Sequence, residues 1–143
     1  MKKVLIPTQL DAVAQEILEA HGGYAVVQMP KADIAQLLRD NPDTHALIVR
    51  SEKITAELID LAPALKVIVR AGAGYNTIDI RYARKKGIDV MNTPGANSNA
   101  VAEEVVAMML ADARHLVAAD ISTRAGDWKK SEYMGSELAG KTV

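Results

Sequence analysis

Two arginines and a glycine-rich loop are the residues of this chain with the clearest chemical use. Arg50 directly follows the aliphatic run Leu47-Ile48-Val49, and Arg70 directly follows Val67-Ile68-Val69. A guanidinium group is a planar fork of donors that can bind two oxygens of a carboxylate or phosphate. Arginines also solvate the ends of strands, but two of them beside a glycine-rich loop favour a site for a small anion.

The loop Gly72-Ala73-Gly74-Tyr75-Asn76-Thr77 nearly reads G-x-G-x-x-G, the dinucleotide-binding pattern. It lacks the third glycine, which allows close helix–strand packing over a bound pyrophosphate. The acidic partner is also misplaced, because Asp89 begins the next aliphatic run instead of following it. Two interpretations stay open: the glycines bring backbone N–H groups close to a small anion, or they form a tight turn that needs positive φ.

The other reactive side chains form no catalytic group. His21 precedes two glycines and is predicted to end a helix, His45 is predicted in a loop, and His115 is predicted inside a helix as a buried or interface side chain. Glu103 and Glu104 are adjacent on a helix, so they point in different directions and form no carboxylate pair. The chain has no cysteine, and no histidine has a partner at metal-ligand spacing, so no metal site is predicted.

Charge and apolar content exclude some classes of binding partner. The chain has 17 basic and 18 acidic residues, which offers no electrostatic attraction for nucleic acid or a membrane surface. Its apolar run at Val105–Leu110 is far shorter than the roughly 20 residues of a membrane span, and the N-terminus lacks the apolar stretch of a signal peptide. We therefore expect a soluble, cytoplasmic protein that binds a small molecule.

Short aliphatic runs alternate with helical patterns along the first two thirds of the chain, which predicts an α/β fold. The expected architecture is a flavodoxin-like, doubly wound parallel sheet of five strands, whose ligands bind outside the carboxyl ends of the strands. Asp11 and Asp79 are predicted N-caps, and Gly22-Gly23 and Gly87 are predicted helix stops. Strands are predicted at Val4–Ile6, Ala25–Gln28, Ala46–Val49, Val67–Val69 and Asp89–Met91, and helices near Asp11–Ala20, Ala32–Arg39, Ala56–Leu61 and Ile80–Lys86.

A single long helix is predicted from about Ala100 to Ser122, with Ser98 or Asn99 as its N-cap. Its apolar residues point in several directions, and a helix that is apolar nearly all round must be buried on most sides. The sheet can cover only one side. The rest requires another domain, another subunit or both, and our leading expectation is a homodimer through the helix at 99–122.

Four ordered blocks of the chain resemble the D-2-hydroxyacid dehydrogenases. They are Leu47-Ile48-Val49-Arg50-Ser51, Arg70-Ala71-Gly72-Ala73-Gly74, Asn92-Thr93-Pro94-Gly95-Ala96-Asn97 and Ala100-Val101-Ala102-Glu103. The resemblance implies that residues 1–97 are the N-terminal portion of a substrate-binding domain. Residues 98–143 are then the dimerisation helix and the lead-in to an NAD-binding domain. The end at Gly140-Lys141-Thr142-Val143 looks like the start of a strand, so we expect part of a larger enzyme that is inactive alone.

The resemblance also implies roles for particular residues. Arg50 and Ser51 are expected to face the substrate's phosphate or distal end, and Arg70 is also expected to bind the substrate. The loop of Ala71, Gly72, Ala73 and Gly74 is expected to present N–H groups to its carboxylate, with Asn97 nearby. Ala73 and Val101 are expected on the cofactor side; the family's Arg/Glu/His catalytic set and the glycine motif for NAD are not in this chain.

The implied substrate is 3-phosphoglycerate, the starting compound of serine biosynthesis. Ala73 stands where many relatives have a threonine, and Tyr75-Asn76-Thr77 replaces a more usual Val-Asp-Asn. These departures keep glyoxylate or hydroxypyruvate open as the substrate. A free-standing, non-catalytic module that binds an anion or a protein is the alternative to an enzyme fragment.

Overall fold

A computed structural model describes residues 1–142, and the chain divides into two compact units, Met1–Ala96 and a second unit that begins at Asn97. The roles that the resemblance gives to the two parts stay predictions. Within the described residues, no helix has the length and apolar character needed to cross a membrane.

The first unit is a five-stranded parallel sheet with the strand order β2-β1-β3-β4-β5. This order confirms the predicted flavodoxin-like, doubly wound α/β fold. Its strands are β1 (Lys2–Ile6), β2 (Tyr24–Gln28), β3 (Thr44–Val49), β4 (Val67–Arg70) and β5 (Asp89–Asn92), and its helices are α1 (Ala12–Ala20), α2 (Ile34–Asp40), α3 (Ala56–Asp60) and α4 (Ile80–Lys85).

Aspartates begin three of these helices. The carboxylates of Asp11 and Asp79 accept the backbone N–H groups of Val13 and Tyr82, at 3.0 and 2.9 Å, which confirms both predicted N-caps. Asp33 caps α2 in the same way, through the N–H of Gln36 at 2.7 Å, and this cap was not among the predicted ones. Each cap satisfies a backbone donor that the first turn leaves without a partner.

Two of the histidine predictions concern this unit. His21 is the C-cap of α1, as expected. His45 was predicted in a loop, and that prediction is wrong: it lies in β3, where its Nδ1 accepts the N–H of Lys3 at 3.3 Å. The strand begins earlier than its aliphatic run because backbone pairing with β1 extends to Thr44.

The core centres on the middle strands of the sheet. Leu5, Leu47, Val49 and Ile68 are all at most 1% exposed, and helix residues such as Leu38 pack against them. The edge strands β2 and β5 are only partly buried. The carboxyl ends of β1, β3 and β4 are therefore carried by the best-packed part of the unit.

The second unit corrects the prediction of one long helix. Its residues form two helices, α5 (Ser98–Ala113) and α6 (Leu116–Arg124), followed by a short 3-10 helix at Lys130–Tyr133. His115 stands between the helices in the left-handed region, at φ 52°, and is exposed, not buried inside a helix.

A later segment of the chain lies against the end of α5, where this break occurs. The N–H of Ser136 donates to the carbonyl of Ala113 at 2.7 Å, and Gly135 lies so close that an added Cβ would overlap that carbonyl oxygen. The carbonyl at the end of α5 thus has a partner outside the helix.

The start of α5 also differs from the expectation. The N-cap is Asn97, and its side chain makes no capping hydrogen bond, while Ser98 and Asn99 lie inside the helix. Asn99 instead donates to the Glu103 carboxylate, one turn later, at 2.8 Å. Residues 140–142 do not form the expected strand, and Val143 lies outside the described residues.

Candidate functional site

The strands bring the predicted anion-binding residues to one edge of the sheet. In the parallel register, Val49 pairs with Arg70, and Arg70 pairs with Asn92. Arg50, the loop that starts at Ala71, and Asn92 therefore lie side by side where three neighbouring strands end. This is the edge at which ligands bind in sheets of this topology.

Hydrogen bonds fix the glycine-rich loop to the strands on both sides. The N–H of Ala71 donates to the carbonyl of Val49 at 2.7 Å, and the N–H of Gly72 donates to the carbonyl of Arg70 at 2.8 Å. From the β5 side, the Asn92 side-chain amide donates to the carbonyl of Ala73 at 2.7 Å. The first three residues of the loop are therefore tied to the strands beside them.

These bonds divide the four loop N–H groups into two pairs. The N–H groups of Ala71 and Gly72 already donate to backbone carbonyls. They therefore do not present donors to a carboxylate, contrary to what the resemblance implied. Those of Ala73 and Gly74 donate to no protein group within residues 1–142. The part of the loop that can still bind an anion is therefore its second half.

The two glycines are not required by backbone conformation, because neither Gly72 nor Gly74 has positive φ. The alternative of a tight positive-φ turn is thus wrong. At Gly72 the reason is space: an added Cβ would overlap Nη1 and Cζ of Arg70 and would stand 3.0 Å from its Nε. The guanidinium of Arg70 lies directly over this glycine.

Arg70 is oriented by a second contact. Its Nε donates to the carbonyl of Arg50 at 2.8 Å, so the arginine at the end of β4 is bound to the backbone at the end of β3. Within the described residues, the terminal nitrogens of Arg70 and the guanidinium of Arg50 form no ion pair. Both side chains can therefore give charged donors to an anion.

A residue that the sequence analysis missed completes this edge. One carboxylate oxygen of Glu52 accepts the N–H groups of Arg50, at 2.7 Å, and of Ser51, at 3.0 Å. Partial burial alone would raise the pKa of Glu52, but the N–H groups of the turn and the Thr8 hydroxyl together lower it. The only signal in the sequence is a carboxylate two residues after a strand-end arginine, where it can reach back to the turn.

The remaining predicted site residues belong to the second unit. Asn97 is the N-cap of α5, and Val101 lies in the first turns of that helix with 47% of its surface exposed. Their expected places beside the substrate and the cofactor stay predictions.

The loop does not fit the pyrophosphate of a dinucleotide. After Gly74 the chain first forms a bridge between Ile54 and Ile78, and α4 begins only at Ile80. In dinucleotide-binding folds the glycine turn leads directly into a helix whose N-terminus holds the pyrophosphate. Within the described residues, no three histidine, aspartate or glutamate side chains are grouped as metal ligands.

Most of the chain matches one known protein family. Residues 4–137 match the family described as "D-isomer specific 2-hydroxyacid dehydrogenase, catalytic domain". The chain is 40% identical over 144 residues to the D-3-phosphoglycerate dehydrogenase of Homo sapiens, covering 100% of this chain and 27% of that protein. It is 45% identical over 109 residues to the hydroxypyruvate reductase of Thermotoga maritima, covering 76% of this chain and 36% of that protein.

The fold is similar to a solved structure of the same kind. The crystal structure of NAD+-bound 3-phosphoglycerate dehydrogenase from Entamoeba histolytica aligns with a TM-score of 0.68 and 40% identity, covering 79% of this chain and 39% of that one. The chain thus spans well under half the length of each of these relatives. From the family match and the parallel sheet that carries the loop, the chain belongs to the D-isomer specific 2-hydroxyacid dehydrogenases, as a part of their catalytic domain.

Proposed function

We propose that this chain is the substrate-binding N-terminal part of an NAD-dependent D-2-hydroxyacid dehydrogenase and is not catalytic by itself. The observation that carries the proposal is the convergence of two arginines and two free loop N–H groups where β3 and β4 end. Arg50 and Arg70 supply charge, and Ala73 and Gly74 supply backbone donors.

This arrangement assigns a part of the substrate to each group. The N–H groups of Ala73 and Gly74 hold the carboxylate next to the reacting carbon, in the manner of a backbone nest. The guanidinium groups of Arg50 and Arg70 bind the distal end. When bound by the rest of the enzyme, NAD would supply the acceptor for a hydride from the hydroxyl-bearing carbon. This chain contributes orientation, which can account for a large share of a catalysed rate.

The first candidate for the substrate is 3-phosphoglycerate. With this substrate, the enzyme belongs to serine biosynthesis and acts in the cytoplasm. Two guanidinium groups suit a phosphate, which offers more oxygens and more charge than a second carboxylate. The relatives from Homo sapiens and Entamoeba histolytica carry the name of that activity. Hydroxypyruvate or glyoxylate is the second candidate, because Ala73 has no hydroxyl and the Thermotoga maritima relative is named a hydroxypyruvate reductase.

The apolar surface of α5 supports a homodimer as the assembly. Val106, Met108 and Leu110 are each about half exposed, at 53%, 57% and 47%. A run of large apolar side chains on one helix costs free energy if it faces water, and a second copy of the helix can remove it from water.

The proposal is tested by titrating the isotope-labelled chain with 3-phosphoglycerate, hydroxypyruvate and acetate while recording backbone amide signals by NMR. We expect the Ala73 and Gly74 amides to shift with the first two acids. Replacing Arg50 with alanine should weaken 3-phosphoglycerate about tenfold or more, the loss expected for a charge-assisted contact. Acetate, which lacks the distal group, controls for carboxylate binding alone. Loop amides that respond equally to all three acids, or to none, would contradict the proposal.

A further inference from the structure

Glu52 is linked by hydrogen bonds to the ends of two neighbouring strands, β3 and β4. Its carboxylate accepts the N–H groups of Arg50 and Ser51 after β3, and the hydroxyl of the buried Thr8, just after β1, contributes to lowering its pKa. The carbonyl of the same Arg50 accepts a hydrogen bond from Nε of Arg70, the last residue of β4, at 2.8 Å. Hydrogen bonds therefore run from Glu52 through the backbone of Arg50 to the guanidinium of Arg70.

The carboxylate is suited to fix this turn. Hydrogen bonds from an N–H group to a charged acceptor are stronger than those between neutral groups. A carboxylate that accepts two successive N–H groups restricts the peptide plane between Arg50 and Ser51, which is the plane that carries the Arg50 carbonyl. The pKa of Glu52 is lowered, so the folded chain favours the ionised carboxylate that makes these contacts.

We infer that Glu52 is a positioning residue of the anion site: its carboxylate fixes the Arg50 peptide, whose carbonyl orients the guanidinium of Arg70. Glu52 does not touch the substrate in this arrangement. The inference rests on the proposed function only for the identity of the anion, because the chain of contacts is present without one.

The position of Glu52 makes the direction of the effect diagnostic. A negative charge beside two arginines repels an anionic ligand, so its removal should tighten binding if charge were the only effect. If Glu52 acts by positioning, its removal should weaken binding, because Arg70 loses the carbonyl that orients it. The two mechanisms therefore predict opposite signs for the same substitution.

The experiment compares Glu52→Gln with the unchanged chain. Glutamine keeps the shape but loses the charge that strengthens both backbone contacts. We expect the affinity for 3-phosphoglycerate, measured by calorimetry, to fall about tenfold, the loss expected when one charge-assisted contact is disrupted. The side-chain Nε–H signal of Arg70 should exchange with water faster than in the unchanged chain. In an Arg70→Ala background, Glu52→Gln should have little further effect on affinity, because it acts through Arg70.

The matched control is Glu57→Gln, which removes the same charge from the first turn of α3, away from the turn after β3. It should leave the Arg70 signal and the affinity unchanged. Tighter or equal binding by Glu52→Gln, or an unchanged Arg70 Nε–H signal, would overturn the inference. If the unchanged chain binds none of the acids, the proposed function fails, while the Arg70 signal still decides the role of Glu52.

Discussion

Gly72 is a glycine whose missing side chain leaves room for a neighbouring residue, the guanidinium of Arg70. The backbone there does not have positive φ, so alanine is compatible with the local conformation. The conflict is with the guanidinium of Arg70, which occupies the volume that a Cβ would need. Because an arginine side chain is flexible, it can move aside, and the loss should appear in ligand binding more than in folding.

We therefore expect Gly72→Ala to displace Arg70 from the carbonyl of Arg50. Stability should change by less than about 1 kcal/mol, because the backbone is unstrained. Affinity for 3-phosphoglycerate should fall about tenfold, since an oriented charged donor is lost. Gly23→Ala, outside the anion site, is the control: Gly23 also lacks positive φ, and its added Cβ would stand 3.8 Å from the His21 side chain, an ordinary contact. Calorimetric titration and thermal unfolding of both variants provide the measurement. Equal affinity for the two variants would contradict this account of Gly72.

Glu52 gives the stability of the first unit a specific dependence on pH. Burial raises its pKa, but the hydrogen bonds of the turn lower it by more, so the folded state prefers the ionised form. A group with a lowered folded pKa contributes stability above its unfolded pKa, and this contribution is lost as the pH falls through the folded pKa.

The unfolding free energy of the unchanged chain should thus exceed that of Glu52→Gln by a constant amount near neutral pH. The difference should shrink as the pH falls below the ordinary pKa of glutamate. Chemical denaturation of both proteins at a series of pH values measures it, with Gly74→Ala as a variant that removes no titrating group. Parallel stability curves for Glu52→Gln and the unchanged chain across the acid range would show that the carboxylate makes no such contribution.

The strands and their caps follow from local sequence, and this is why they could be predicted. The aliphatic runs around Leu47 and Ile68 are fully buried on one face and partly buried on the other, as expected for a parallel sheet covered by helices. Asp11 and Asp79 cap helices through contacts within three residues of themselves. Arg50 and Arg70 could be assigned to the same edge because parallel strands end together.

Contacts between residues distant in sequence account for what the patterns did not predict. The break between α5 and α6 coincides with a hydrogen bond from Ser136 to Ala113, and nothing in the helix-forming run before His115 signals it. The bond from Arg70 to the Arg50 carbonyl likewise joins separate strands. Hydrophobic periodicity describes only the neighbours along one element, so such contacts leave no trace in it.

The break itself can be tested through His115. A residue other than glycine in the left-handed region costs roughly 1 kcal/mol, and glycine also tolerates the N-cap position of α6. His115→Gly should therefore raise the unfolding free energy by about 0.5–1 kcal/mol, as measured by chemical denaturation. His115→Ala keeps the Cβ, and thus the strain, and should give no increase. A continuous helix in solution would reverse the order, because alanine is then the better helix former.

We expect the surface of α5 to determine the assembly of the molecule, because apolar side chains face water along this helix. Val105 is 37% exposed in a helix without a buried residue, so a partner that covers α5 would stabilise the chain. We expect the unchanged chain to form a dimer in light scattering coupled to size exclusion, and Val105→Glu or Met109→Glu to shift it to a monomer. The shift follows because an unpaired charge in an apolar interface costs several kcal/mol.

Glu104→Lys on the same helix changes charge without removing an apolar contact, and should leave the dimer intact. A monomeric unchanged chain, or a dimer that survives both glutamates, would require a different partner for α5.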